Sequence, residues 1–209
     1  MQSPSDLTRF LWGERPNGWA AIWDKTTKRT TPIRAADHVG LDNCVQSLCA
    51  NGGEVYFGTG LQAQPPLNGR GKADDICAIS GPFFDFDVGR VGHKGAAYPQ
   101  SMQECRDFIA TLPLKPSILV NTGGGFHAYW AFTELWVFGN EADRQKAAAM
   151  LAGWQRRIIE LGSRHGWKFD FTGDLARVLR LPGTWNLKIP GQPRPVTVEY
   201  WSDQNALQH

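Results

Sequence analysis

Apolar positions along this chain follow two periods. Between residues 140 and 163, Ala147, Leu151, Trp154, Ile158 and Leu161 recur at the spacing of one helix face, and Asn140 supplies an N-cap. Three shorter helices are predicted. The first follows Ser3-Pro4, a hydroxyl cap with proline at the first helical position, and stops near Gly13. The second covers residues 37–50 and ends at Asn51-Gly52-Gly53; the third covers residues 105–112, after the capping box Ser101-Met102-Gln103-Glu104. Strand patterns cover 19–23 and 30–34, a hairpin about a polar turn, then 54–58, and 76–87 with a break at Gly81-Pro82. Further strands are expected at 117–120, 126–132, 167–171 and 195–201, and a helical turn at Asp174. Residues 59–75, rich in glycine and proline, read as one long mobile loop. Strands and helices interleave, so the pattern predicts an α+β fold with helices packed on a sheet.

Composition leaves this picture intact. The chain has 209 residues, 42% hydrophobic and 20% charged, which is globular and leaves room for one ordinary domain. No apolar run is long enough for a spanning helix, and residues 1–14 lack the plan of a signal peptide, so the cytoplasm is the expected location. Cys44, Cys49, Cys77 and Cys105 have no C-x-x-C spacing, which argues against a zinc site and for free thiols. Net charge is only +2, but residues 141–200 carry ten Lys or Arg against six Asp or Glu. A local basic patch can bind a polyanion without a basic chain. Some of the nine tryptophans are candidate stacking surfaces for bases.

Three constellations carry candidate chemistry. In Phe83-Phe84-Asp85-Phe86-Asp87-Val88, strand alternation puts Asp85 and Asp87 on one face and buries the other. Two carboxylates roughly 7 Å apart repel each other, and a divalent cation bound to substrate phosphates relieves that repulsion. In Asn121-Thr122-Gly123-Gly124-Gly125-Phe126-His127, the glycines let backbone N–H groups approach an anion, and His127 on the outgoing strand can donate to phosphate. The third run places Asp170 between Phe169 and Phe171, with Arg177, Arg180 and Lys188 soon after. A third carboxylate with nearby cations is what phosphoryl or nucleotidyl transfer to or from a triphosphate requires. Arg70 and Lys72, in the glycine-rich loop, are candidate nucleic-acid contacts.

The ordered set D-x-D, then G-G-G-x-H, then a lone Asp followed by D-L-A-R-V-L-R-L-P-G-T-W-N-L-K resembles the archaeo-eukaryotic primase (AEP) superfamily. Within it, the chain is most similar to the primase-polymerases of plasmids, phages, integrated elements and CRISPR loci. The resemblance implies an α+β fold, with an N-terminal α/β module (residues 1–75) beside an RRM-like catalytic module with a mixed sheet (residues 76–209). It implies DNA-dependent nucleotidyl transfer that makes or extends primers with two divalent ions, Mg2+ or Mn2+. Asp85, Asp87 and Asp170 would be the catalytic, metal-holding carboxylates. Thr122, Gly123, Gly124, Gly125, His127, Arg177, Arg180 and Lys188 would bind nucleotide, and Asp174 is a lesser candidate ligand. Expected partners are a DNA template and primer, NTP or dNTP substrates, and a helicase or accessory domain supplied in trans or by a longer chain, since no G-x-x-x-x-G-K-[ST] motif occurs here. Two other readings of the residues stay open: a D-x-D sugar-nucleotide transferase, and a non-catalytic nucleic-acid-binding replication module.

Overall fold

The computed structural model describes residues 3–66, 69–89, 97–202 and 205–208. Four α-helices are present: α1 (Pro4–Trp12), α2 (His38–Ala50), α3 (Met102–Thr111) and α4 (Glu141–Ser163). Three start at the caps read from the sequence, α3 at Met102 and so three residues earlier than the expected 105. The Ser3 side chain accepts from Asp6 N–H, Ser101 from Glu104 N–H, and Asn140 from Asp143 N–H. Such caps satisfy donors that a helix N-terminus otherwise leaves orphaned.

The larger sheet contains β1 (Trp19–Asp24), β2 (Arg29–Arg34), β3 (Val55–Gly58), β4 (Gly60–Gln62), β5 (Ile76–Ile79), β9 (Trp136–Val137) and β10 (Val178–Arg180). The smaller sheet contains β6 (Phe83–Asp87), β7 (Ile118–Asn121), β8 (Gly125–Tyr129) and β13 (Thr197–Trp201), in the order β13-β7-β8-β6. A two-stranded ribbon, β11 (Trp185–Asn186) with β12 (Arg194–Pro195), lies beside them. The smaller sheet with α3 and α4 runs β-α-β-β-α-β, as expected of an RRM-like unit. Every ladder between these strands is antiparallel, where a mixed sheet was expected. The larger sheet draws β5, β9 and β10 from beyond residue 75.

Two apolar clusters hold these layers. One joins Leu7, Leu11 and Trp12 of α1 and Leu41 and Val45 of α2 to the larger sheet, and reaches Phe83, Ile118, Val120 and Tyr129 on the near face of the smaller one. Phe57 bridges them, with ring contacts to both Trp12 and Tyr129. The other cluster backs the smaller sheet: Phe84, Phe86, Phe126 and Ala128 pack on Phe108 and Ile109 of α3, Ile158 of α4, and Phe169. Each such side chain contributes about 1.5–3 kcal/mol on burial. Together they fix which face of β6 is left for chemistry.

Three sequence expectations are corrected. Residues 59–75 are not one loop. Gly60–Gln62 form β4, laddered to β5 and touching β1, and Ala73–Asp75 form a 3-10 turn; Leu67 and Asn68 lie outside the described residues. Gly60 is there for close packing, since a Cβ would lie 2.7 Å from Ile76 Cγ2 and 2.9 Å from the Leu175 carbonyl. Residues 167–171 form no strand. They run extended with Phe169 inserted in the core, and Lys168 N–H donates to the Ala97 carbonyl at 2.8 Å. Asp174 starts a turn, not a helix. The Gly81-Pro82 break does more than interrupt a strand: it passes the chain from the larger sheet to the smaller.

Candidate active site

The regular part of the site is the β6–β8 ladder. Asp85 pairs with His127 and Asp87 with Gly125, so both carboxylates and the imidazole share one face. His127 Nε2 lies 3.4 Å from Asp85 Oδ1. The opposite face, Phe84, Phe86 and Phe126, is wholly buried. Phe169 packs edge-on against Phe84 and Phe86, with ring centroids 5.6 and 5.4 Å away, and the next residue, Asp170, comes near enough for its charge to act on Asp85.

Burial pushes the Asp85 carboxyl up to about 6, and Asp170 adds repulsion, while Arg177, Arg180 and Lys188 pull the other way. The five groups therefore share one electrostatic site, although they come from β6, the extended segment after α4, β10 and the segment following β11. Burial holds His127 down to about 3, with the Arg180 charge acting in the same direction and Asp87 opposing it. The imidazole is thus neutral at physiological pH. Tyr98, buried beside these acids and hydrogen-bonded to the Asp170 side chain, is pushed up to about 12, first by burial and then by the acidic charge. It was missed from the sequence, where a lone tyrosine in an irregular stretch carries no signal.

The cations differ in how they are held. Arg177 Nε donates to the Thr172 carbonyl at 2.9 Å, and its Nη2 lies 2.9 Å from Asp174 Oδ2. Asp174 is therefore an ion-pair partner of Arg177. Arg180 is buried, paired with Glu54, which immediately precedes β3, and stacked on Tyr56 at 4.6 Å from the ring centroid; its Nη1 has no hydrogen-bond partner. Glu54 itself is raised by burial, and more than lowered again by Arg180 and Lys25, so its carboxyl ends below the ordinary range. Lys188 is exposed, and its N–H donates to Asn186 Oδ1 at 3.0 Å.

Asn186 also donates from Nδ2 to the Thr122 carbonyl at 2.7 Å, which ties the ribbon to the glycine turn. Within that turn, Thr122 N–H donates to the Gly125 carbonyl at 3.0 Å and Gly123 N–H to Asn121 Oδ1 at 2.8 Å. Thr122 Oγ1 also donates to the Gly125 carbonyl, at 3.1 Å. The Arg194 guanidinium lies over Gly123 and Gly124 and donates to the Gly123 carbonyl. Neither Asn186 nor Arg194 stood out as a site residue in the sequence. Arg70 and Lys72 are exposed on the larger sheet's side: the Arg70 guanidinium lies 5.9 Å from the centre of the Trp23 ring, and Lys72 N–H donates to Asp75. Neither is among the charges that act most strongly on Asp85.

Among the described residues, no three acidic, histidine or cysteine side chains gather closely enough to hold a metal ion by themselves. All four cysteines are free thiols. No helix among the described residues is long and apolar enough to cross a membrane.

Three solved structures superpose on this fold. The AEP domain of the cyanophage S-2L primase-polymerase superposes with a TM-score of 0.59 at 17% identity, over 98% of this chain and 92% of that one. The catalytic domain of primase RepB′, solved in complex with initiator DNA, gives 0.54 at 16% identity over 97% and 86%. A further RepB′ primase structure gives 0.51 at 15% identity over 97% and 58%. The chain therefore has the α+β fold of AEP-type primase-polymerase domains. No family model matches the sequence, and no curated protein matches it.

Proposed function

We propose that this protein is a DNA-dependent nucleotidyltransferase, a primase-polymerase that makes or extends primers on a DNA template from NTPs or dNTPs. One observation carries the reading: Asp85, Asp87 and His127 share one strand face of an AEP-type fold, and Asp170, Arg177, Arg180 and Lys188, up to about a hundred residues away in the chain, act electrostatically on Asp85. The RepB′ domain of the same fold binds DNA, which supports a nucleic-acid substrate here.

Asp85, Asp87 and Asp170 would hold two divalent ions, Mg2+ or Mn2+. The donor set fits them: Asp85 and Asp87 put hard carboxylate oxygens on one face with the Asp170 charge nearby, as suits ions that keep water and substrate oxygens in their shell. When bound, such ions activate the attacking 3′-hydroxyl and stabilise the leaving pyrophosphate. His127, neutral and fixed beside Asp85, is available to hydrogen-bond a phosphate oxygen without adding charge. Arg177 and Lys188 offer charge along the polyphosphate. Arg180 acts from behind, its buried charge keeping Asp85 more ionised than burial alone would allow. Arg70 and Lys72, exposed near Trp23, would touch the template strand.

The test is incubation with a primed DNA template, dNTPs or NTPs, and Mn2+, alongside DNA binding at two salt concentrations. Primer extension is expected, with DNA affinity falling as salt rises, by about 0.7 in the log–log slope per single-strand phosphate neutralised. No DNA binding at low salt, with transfer from a nucleotide-sugar instead, overturns the reading.

A further inference from the structure

We infer that Arg194, on β12, is a polyphosphate-binding residue of the nucleotide site, and that the glycine turn serves to seat its guanidinium. The inference rests on the nucleotidyltransferase reading above and adds a residue and a mechanism to it.

A glycine-rich turn usually binds an anion through its own N–H groups. Here two of those groups are already used. Thr122 N–H donates to the Gly125 carbonyl, and Gly123 N–H to Asn121 Oδ1. Neither can also face a phosphate. The glycines answer to a different neighbour. Gly123 has φ +73°, and a Cβ there would lie 2.5 Å from Arg194 Cβ. At Gly124 a Cβ would only make ordinary contact, 3.6 Å from Arg194 Nη1 and Nη2. Bare backbone at Gly123 therefore lets the arginine stem lie along the turn.

Arg194 is anchored there and not consumed. Its Nη1 donates to the Gly123 carbonyl, while its Nε has no partner. Its ladder partner is Asn186, the residue that holds both the Thr122 carbonyl and the Lys188 main chain. The turn in turn abuts the acidic strand: Gly125 pairs with Asp87, and Val88 N–H donates to the Gly124 carbonyl at 3.1 Å. A planar cation thus stands on the turn that abuts the end of β6. Guanidinium binds phosphate oxygens in a bidentate manner, which an ammonium cannot reproduce. The matching ligand chemistry is the diphosphate or triphosphate tail of a nucleotide.

Calorimetry on the full chain tests this with ATP, dATP, inorganic tripolyphosphate and adenosine, using Arg194→Ala, Arg194→Gln and Arg194→Lys. Ala and Gln are expected to weaken triphosphate and tripolyphosphate binding about tenfold or more, with Lys intermediate. Adenosine and single-stranded DNA affinities should stay within about twofold of wild type. Gln retains a donor for the Gly123 carbonyl without the charge, so it separates bracing of the turn from binding of phosphate, and it carries the test if the alanine variant fails to fold. Wild-type triphosphate affinity in Arg194→Gln overturns the inference alone, provided the wild type extends primers. A wild type that binds no triphosphate overturns the functional reading beneath it.

Discussion

The two halves of the site are built in different ways. Asp85, Asp87 and His127 sit on adjacent antiparallel strands, where period-2 geometry decides their face and a layer of phenylalanines behind enforces it. Asp170, Arg177, Lys188 and Arg194 sit on short or irregular segments: Arg177 and Lys188 are held by near neighbours in sequence, Asp170 and Arg194 by contacts from far along the chain. Gln155 of α4 shows how: its Nε2 donates to the Phe83 carbonyl at 2.7 Å and its Oε1 accepts from Thr172 N–H at 3.2 Å, so one buried amide ties the start of β6 to the Asp170 segment. Arg180, at the end of β10 in the larger sheet, is fixed by its ion pair with Glu54, and Asn186 joins the ribbon to the turn. The strand half depends on its own ladder, whereas the loop half depends on about one polar contact per functional residue. Damage to the first should therefore appear as lost chemistry, and damage to the second as lost stability and lost placement together.

The largest expected effect is on activity. Asp85→Asn with Asp87→Asn should reduce primer extension to background, with an unchanged or raised melting temperature, because burial and Asp170 already disfavour the charge on Asp85. Extension at near wild-type rate would break the assignment of the strand half.

Next comes the clamp of the loop half. Glu54→Ala leaves Arg180 buried without its partner, which should cost about 3–5 kcal/mol in denaturant unfolding, and adding Arg180→Met should recover much of that without restoring activity. The pH dependence follows from the same region. The Glu54 carboxyl is held below its ordinary value. So is that of Asp24, where burial is outweighed by the Thr27 hydroxyl and the N–H groups of Thr26, Thr27 and Glu54. A depressed folded value means that the stabilisation is complete above about pH 4–4.5 and is lost as pH falls through the folded values. Wild type should lose stability across that acid window, and Glu54→Ala should lose less of what remains; parallel acid melting curves would contradict this.

Gln155→Leu should destabilise the protein by about 1–3 kcal/mol, because it strands the buried Phe83 carbonyl and frees Thr172. It should also lower kcat more than it raises KM for nucleotide, since the Asp170 segment loses its tether. An unchanged kcat would mean that Phe169 and Tyr98 position Asp170 without the Gln155 tether. The smallest effect belongs to Tyr98→Phe. Losing its hydrogen bond to Asp170 should cost about 0.5–1.5 kcal/mol, with a modest fall in extension rate.

Legibility from sequence follows the same division. Helix caps at Ser3, Ser101 and Asn140 are local chemistry, and each helix starts where its cap stands. The Phe/Asp alternation of β6 is local as well, so the shared face of Asp85 and Asp87 could be read directly, as could the hairpin around the glycine turn. β4, β9, β10, β11 and β12, each two or three residues long, were not legible. Strands that short take their conformation from a partner, not from their own pattern. Gln155 was likewise invisible, a polar residue on the buried stripe of α4 where the spacing pointed to Trp154.

The sequence alone determined the α+β class, the four helices, the paired carboxylates and the order of the three motifs, because caps, period and turn chemistry act over a few residues. Tertiary structure alone decided that Arg180 is buried against Glu54, that Tyr98 holds Asp170, and that Arg194 occupies the turn whose glycines had suggested a bare anion cradle. Those contacts join residues far apart in the chain, and packing selects them only once both sheets and α4 are in place.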